Sequence, residues 1–419
     1  MGSAEAAASL MENGEVPVNI PSLCMACDDG GCNFKPVLME RRPVGSRDVV
    51  IQMLYCGVCH SDLHHAAGHN AALLGPTPYP CVPGHELAGV VTAVGDQCTK
   101  ISVGMKVGVG CIVDSCLECK SCLAGEEQNC SKRVGTYGSK VSKSSRAYSP
   151  IGWTLGGYTS TMVVHEHFAI IIPDSYPMEA AGPVMCSAIT MYEPLIVHGA
   201  GGGGKTVGIV GLGGLGVMGI KLAKALGCTV TAISRNTNKA EFAKQAGAAN
   251  FIATADPAQL QAANGTFDII LNTVPVYHNY DIYTRLLKRD GKQVLLGLHK
   301  GFVAAMLIKG LTRGKSRLTV SLIGGIRNTQ AVIDLCAEHN IVPEVQVKNC
   351  EELNQIFTDL DGANDAGVRY VLDIAGSLNE NTSAKCSTAR PPTLAVPKGA
   401  MTLSGSIIEM LRLICLWKT

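Results

Sequence analysis

Runs such as Asp48-Val-Val-Ile-Gln-Met-Leu-Tyr55, Gly89-Val-Val-Thr-Ala-Val-Gly95 and Met162-Val-Val alternate or cluster apolar positions between glycines and prolines. That pattern predicts short strands and loops, with no long amphipathic helix, over roughly the first 180 residues. From Lys205 the texture changes. It reads strand (Thr206 to Gly211), helix (Gly214 to Gly227), strand (Cys228 to Ser234) and helix (Asn238 to Gly247), a βαβ pattern. Strand-like runs at Phe267 to Val274, Gln293 to Leu298 and Leu318 to Gly324 extend it to a parallel sheet of about six strands. The expected fold class is α/β, a β-rich domain followed by a doubly wound parallel sheet. No repeat of solenoid period is present.

Composition narrows the classes. The chain has 419 residues, 47% hydrophobic and 16% charged, so it holds two or three domains with a sizeable core and is not a disordered chain. A formal net charge of +1 without a basic block gives no reason to expect nucleic acid or an anionic membrane as partner. The longest uncharged apolar run, Thr206 to Ile220, is too short for a membrane span and is broken by glycines, so a soluble protein is expected. Met1 to Gly30 lacks both the apolar core of a secretion signal and the arginines of a transit peptide, which leaves a reducing, cytoplasmic setting as the expectation.

Gly211-Leu-Gly-Gly-Leu-Gly216 is a G-x-G-x-x-G loop between a predicted strand and a predicted helix. Gly211 permits the tight turn, Gly213 lets backbone approach a pyrophosphate, and Gly216 lets helix and strand pack closely. Gly214 and Leu215 then open the helix, whose unpaired N–H groups face the phosphates. An NAD enzyme carries an acidic residue at the end of the second strand; this chain carries Ser234, then Arg235 and Lys239. A hydroxyl and two cations suit a 2′-phosphate, so NADP(H) is expected over NAD(H).

Cys116-x-x-Cys119-x-x-Cys122-x7-Cys130 places four thiols within fifteen residues. Two-residue gaps wrap neighbouring thiolates round a tetrahedral ion and the longer gap closes the fourth corner, which points to structural zinc. Cys111 lies outside this spacing and is assigned no role. A second set, Cys59, His85 and Cys186, offers the three ligands of a catalytic zinc with an open fourth position, although Cys56 competes with Cys59 on position alone.

Gly-Val-Cys59-His-Ser-Asp62, Gly-His85-Glu86, the four-cysteine lobe, Cys186 and the glycine loop together resemble a zinc-dependent medium-chain alcohol dehydrogenase. Val91 to Gly95, Gly156-Gly-Tyr158, Val164-His-Glu-His-Phe168 and Ser321-Leu-Ile-Gly-Gly-Ile326 narrow the resemblance to the cinnamyl alcohol dehydrogenase branch, with its NADPH-dependent aldehyde reductases. The match runs from about Ser46 to Leu378. It implies a GroES-like catalytic domain over 31–186 holding both zinc ions, a Rossmann NADP-binding domain over 187–330, and a return to the catalytic domain over 331–378. Residues 1–30 are expected to be a poorly ordered extension. Residues 379–419 are expected to be a loosely ordered tail rather than a docking helix, despite the apolar stretch Ile407 to Trp417. The resemblance further implies catalytic zinc on Cys59, His85 and Cys186, and structural zinc on Cys116, Cys119, Cys122 and Cys130. Glu86 would tune the zinc, Asp62 would orient a ligand, Ser61 would hydrogen-bond the substrate oxygen and His64 would pass the proton to solvent. A homodimer acting on a small aldehyde or alcohol is the expected assembly.

The chemistry follows from those parts. A metal polarises a carbonyl, a nicotinamide supplies hydride, and a hydroxyl and an imidazole deliver the proton. A rival reading keeps the fold and NADPH for reducing a C=C or C=N bond or for binding alone; the retained Cys59, His85, Cys186, Ser61 and His64 favour the aldehyde reductase. Gly135 stands where lignin-pathway members tend to carry a tryptophan, which argues against strict specificity for cinnamyl aldehydes. Val217, where the branch often has histidine, is given no weight. Cys24, Cys27 and Cys32 are read as unpaired thiols rather than a third metal site.

Overall fold

In the computed structural model the described residues are 19–69, 75–297, 316–362 and 369–379, with 305–306, 309, 312 and the strand pieces 387–388 and 393–395. The first strands are β1 (Ile20–Ala26), β2 (Lys35–Arg41), β3 (Asp48–Gly57), β4 (Thr77–Tyr79), β5 (Leu87–Val94) and β6 (Lys106–Val109). They continue through β7 (Ile112–Asp114), β8 (Val134–Gly135), β9 (Thr161–His165) and β10 (Ile170–Ile171). The nucleotide-type domain contributes β11 (Thr206–Val210), β12 (Thr229–Ser234), β13 (Asn250–Ala253), β14 (Phe267–Asn272), β15 (Leu287–Leu295) and β16 (Leu318–Val320). These six pair in parallel in the order β13-β12-β11-β14-β15-β16, the doubly wound arrangement.

The chain then returns. β17 (Val345–Asn349) and β18 (Arg369–Asp373) join the first domain's sheet, in the order β10-β6-β5-β3-β18-β17 with β9 also on β3. β18 runs antiparallel to β3, with Val371 opposite Gly57 and Leu372 opposite Cys56. This late strand therefore lies beside the segment that leads into Cys59. One core joins residues of both visits, including Val49, Ile51, Met53, Leu87, Phe357 and Leu372.

Both ends depart from expectation. Residues 20–26 are not part of a loose extension: β1 pairs along its whole length with β2 and buries all its side chains but one. Ile20-Pro-Ser-Leu-Cys-Met-Ala is apolar enough to be covered on both faces, which hides the alternation that marks a half-buried strand. The tail is not wholly loose either, since β19 (Ser387–Thr388) adds in parallel to β2 and β20 (Thr393–Ala395) adds antiparallel to β4. Ile407 to Trp417 lies outside the described residues.

Met178–Val197 is the one helix among the described residues long and apolar enough to cross a bilayer, and it is mostly buried inside the fold. It is a core helix by position. Its Ala180, Val184, Ile189 and Leu195 pack with Val207, Ile209 and Ile220 of the nucleotide-type domain, while Gly182 abuts the Glu86 carbonyl of the first.

Candidate active site

Helix α1 (His60–Ala66) begins at Cys59, the residue at its N-cap, and Asp62 in its first turn accepts from the Cys59 N–H at 3.0 Å. Asp62 is fully buried and is the hub of the site. Its Oδ1 also accepts from Gly84 N at 3.2 Å and from His85 Nδ1 at 2.9 Å, and its Oδ2 accepts from Tyr158 Oη at 2.9 Å. Four donors on one carboxylate fix its position and with it the His85 ring. With Nδ1 donating to Asp62, Nε2 is the ring nitrogen turned to the opposite side, where it can bind a metal in place of a proton.

His85 Nε2 lies 3.2 Å from Cys186 Sγ. Cys59, His85, Glu86 and Cys186 each offer a ligand atom, and these atoms lie within 4.8 Å of one another. Cys186 reaches this point from a π-helical turn, Val184–Ala188, just after Pro183 within the long helix. Proline lacks the N–H for the regular ladder, and such wide turns recur where a helix must re-aim a functional side chain. Cys56 does not compete: it is fully buried and its thiol faces its own Gly57 carbonyl at 3.6 Å.

The charge balance is tight. The Cys186 thiol, and then the His85 ring, hold Cys59 well below the ordinary thiol range, so it favours a thiolate. Burial opposes charge on His85, but Asp62 and the neighbouring thiols outweigh it and raise the ring's basicity. Burial pushes Glu86 up to about 7 against the pull of Arg369, whose Nη1 lies 3.4 Å from Oε1. Glu86 Oε2 is buried without a hydrogen-bond partner. An unpartnered oxygen beside two sulfurs and an imidazole is what a cation site looks like before its cation is counted.

Cys111, given no role from sequence, belongs to this neighbourhood: Cys186 is the leading influence that lowers its thiol's pKa, and Cys111 in turn raises that of Cys186. Glycines make the approach possible: a Cβ on Gly110 would stand 3.0 Å from the Met185 carbonyl, and one on Gly108 would stand 2.6 Å from the Met185 side chain. Tyr137 was also missed, and its ring lies 4.8 Å from His65 and 5.7 Å from His85. Arg369 arrives only through β18. Nothing in the local motifs signals any of these.

Of the expected proton carriers, Ser61 is exposed on the first turn of α1 and His64 is half-buried one turn further on, so the two share a face. His64 Nδ1 lies 3.2 Å from His69 Nδ1. Cys24, Cys27 and Cys32 do not converge: Cys24 contacts Ser22 and Thr159, Cys32 contacts the Gly30 carbonyl, and Cys27 bridges Cys81 across a backbone pair.

Cys116, Cys119, Cys122 and Cys130 form a second group with sulfurs within 4.8 Å. Individual separations are 3.8 Å for Cys116 to Cys122, 3.6 Å for Cys119 to Cys122 and 3.6 Å for Cys130 to Cys116. Leu117 adopts φ +61° so that the chain wraps tightly inside the first Cys-x-x-Cys. The Glu118 and Cys119 N–H groups pull Cys116 down to about 6.

The glycine loop has the expected shape. Gly211 has φ +90°, and a Cβ on Gly216 would lie 1.9 Å from the Gly211 carbonyl, so helix Gly214–Ala225 can pack this closely only on glycine. Gly213, at the helix N-cap, has open space where a Cβ would be. Ser234 ends β12, with Arg235 exposed and Lys239 half-buried after it. Neither cation has an ion-pair partner among the described residues.

The family model for the alcohol dehydrogenase GroES-like domain matches residues 45–174, and that for zinc-binding dehydrogenase matches 214–338. The chain is 44% identical to an NADP-dependent alcohol dehydrogenase C of Mycolicibacterium smegmatis over 80% of its length and 93% of that protein. It is 42% identical to an aldehyde reductase of Escherichia coli over 81% and 94%. Among solved structures, a cinnamyl alcohol dehydrogenase of Sorghum bicolor superposes with a TM-score of 0.74 at 35% identity, covering 86% of this chain and 99% of that one. Identity of this order across nearly the full length of the relatives, on a fold that brings the sulfur and imidazole donors together, leaves one conclusion: the chain belongs to the zinc-dependent medium-chain alcohol dehydrogenases, in the cinnamyl alcohol dehydrogenase branch.

Proposed function

We propose that this chain interconverts aldehydes and primary alcohols with NADP(H). The observation that carries the reading is the convergence of Cys59, His85 and Cys186, with Asp62 holding His85 in the tautomer that leaves Nε2 free. Two sulfurs and an imidazole suit zinc, and the unpartnered Glu86 oxygen fits a cation beside it. Cys59, His85 and Cys186 would hold the catalytic ion, and Cys116, Cys119, Cys122 and Cys130 the structural one. Gly211, Gly213, Gly214, Leu215 and Gly216 would cradle the pyrophosphate; Ser234, Arg235 and Lys239 would bind the 2′-phosphate.

When bound, zinc supplies Lewis acidity at a carbonyl oxygen and the nicotinamide supplies hydride. The chain's own residues do the rest. Asp62 keeps the His85 ring from rotating, and Tyr158 keeps Asp62 in place. Ser61 Oγ donates to the substrate oxygen, and His64 restores the Ser61 proton during reduction or removes it during oxidation. Glu86, pushed up to about 7 by burial, is about half ionised near neutral pH and so adds only part of a negative charge beside the donors. Gly135 leaves the substrate side without a large ring, which supports broad aromatic and aliphatic aldehydes rather than one cinnamyl substrate. A cytoplasmic homodimer completes the proposal and rests on resemblance to the family.

The test follows reduced-nicotinamide absorbance with a panel of aldehydes and both cofactors, before and after chelation. NADPH-dependent turnover that chelation abolishes supports the reading. No turnover by the zinc-loaded protein defeats it.

A further inference from the structure

The helix that presents Ser61 and His64 ends in a way that builds a second imidazole onto the first. Ala67 caps α1, Gly68 follows with φ +69°, Gly68 N donates to the His65 carbonyl at 2.9 Å and His69 N donates to the His64 carbonyl at 2.9 Å. That pair of bonds is a Schellman turn, and it carries residue 69 back over the turn occupied by His64. The rings stand 5.5 Å apart between centroids, with their Nδ1 atoms 3.2 Å apart. Two facing Nδ1 atoms at that distance share one hydrogen, so one ring donates and the other accepts.

We propose that His69 is the outer half of a two-histidine proton wire that connects His64 with water. The inference rests on the aldehyde reductase reading. In the reducing direction the resting pair has His69 Nδ1–H donating to His64 Nδ1, which places the His64 proton on Nε2. Ser61 gives its proton to the substrate oxygen and takes the Nε2 proton of His64. His64 Nδ1 takes the Nδ1 proton of His69, and His69 Nε2 takes one from water. One proton enters and one leaves, and oxidation runs the same steps backwards. Each passage leaves both rings in the opposite tautomer, and exchange with water resets them before another passage of the same sign.

The surroundings favour His69 over other exits. His60, on the same face as His64 with its ring centroid 6.4 Å away, has Nε2 engaged by the Leu360 carbonyl at 3.0 Å. Cys59 and Asp361 are the acidic groups that act on His64, and they favour its protonated form. Burial and the neighbouring His69 and His60 act in the other direction and prevail, so His64 sits below the ordinary histidine range. A neutral His64 near pH 7 can accept as well as donate.

His69 is a positioning and relay residue, since it acts through His64. Its test uses the zinc-loaded full chain and His69→Ala. The expected result is a kcat lower by about fivefold, a modest share of what acid–base groups contribute, with KM for aldehyde and NADPH within about twofold. The solvent deuterium isotope effect on kcat should rise, and added imidazole should restore the rate. Unchanged kcat and isotope effect overturn the wire, as does a joint loss in kcat and KM that imidazole does not rescue. A second readout needs no turnover: nitrogen-15 NMR of the histidines should show His64 in the Nε2–H tautomer, with its titration midpoint moved upward in His69→Ala. An unmoved tautomer and midpoint overturn the pairing. A wild-type protein that reduces no aldehyde but shows this NMR behaviour refutes the activity and not the pair.

Discussion

Replacing Asp62 with Asn changes one atom and removes the charge, which makes it a sharp probe of the site. Oδ1 accepts from His85 Nδ1 and Gly84 N, and Oδ2 accepts from Tyr158 Oη and Cys59 N. An amide has a single acceptor oxygen, so its NH2 must face one of these donor pairs. If it faces His85, the ring turns to the other tautomer and Nε2 carries hydrogen, which removes the metal-binding lone pair. If it faces Tyr158 and Cys59, the hydroxyl can rotate but the buried Cys59 N–H is left unpaired. The lost bond to a buried charge is worth about 1.5–3 kcal/mol. That agrees with the roughly 10–100-fold loss of metal affinity found when partners behind a metal ligand are changed. The assay is competition for zinc with a chromophoric chelator, read together with NADPH oxidation. One zinc should be lost at about 10–100-fold lower chelator concentration while the four-cysteine zinc is unaffected. Equal zinc affinity at both sites, within twofold of wild type, would refute the claim that Asp62 sets the His85 tautomer.

The remaining predictions concern other parts of the molecule. Cys122→Ser should release one zinc, lower Tm by at least about 5 °C and open the 116–130 lobe to protease, while the catalytic zinc stays; mass spectrometry of the intact protein reads both metal counts. Ser234→Asp with Arg235→Ala should shift the NADPH-to-NADH ratio of kcat/KM by about tenfold or more toward NADH, and an unchanged ratio removes the phosphate pocket from these residues. Burial holds His65 at about 4, below its unfolded value of 6.5, so the folded state resists a proton that the unfolded chain accepts. Stability is therefore whole above pH 6.5 and falls as pH drops toward 4, by up to roughly 3 kcal/mol. His65→Phe should flatten that limb in urea titrations across the same window.

The parts that could be read from sequence are those in which a few consecutive residues carry the chemistry. The glycine loop, the four-cysteine lobe and the Cys59–Asp62 motif each set their own local geometry through turns and caps. Alternation of strands and helices from Thr206 likewise marked a parallel sheet of about six strands, and short right-handed connections then leave few topologies for it. The features that escaped depend on separations that no local pattern records. Cys111 meets Cys186 through two glycines pressed on Met185, and Arg369 reaches Glu86 only because β18 pairs with β3. β1 escaped for the opposite reason, its residues being too uniformly apolar to show a period. The pairing of His64 with His69 was open to inspection in His64-His-Ala-Ala-Gly-His69, where the glycine marks a helix stop, but only the turn's bond pattern shows which residue is carried back.

The position of β18 also bears on how the protein is made. A ribosome delivers β3 early, and β9 (Thr161–His165) can cover Asp48–Gln52 on one of its edges, but some 310 further residues must emerge before Arg369–Asp373 can pair with Tyr55–Gly57 at the end that leads into Cys59. Until then Tyr55–Gly57, just before the first ligand, lacks its partner on that edge, and an unpaired stretch of strand in an intermediate is where a chaperone or a neighbouring chain can bind. Nucleotide-domain strands, contiguous from Thr206 to Val320, face no such delay. The segment that finishes the sheet beside Cys59 is thus synthesised after every strand of the nucleotide-type domain.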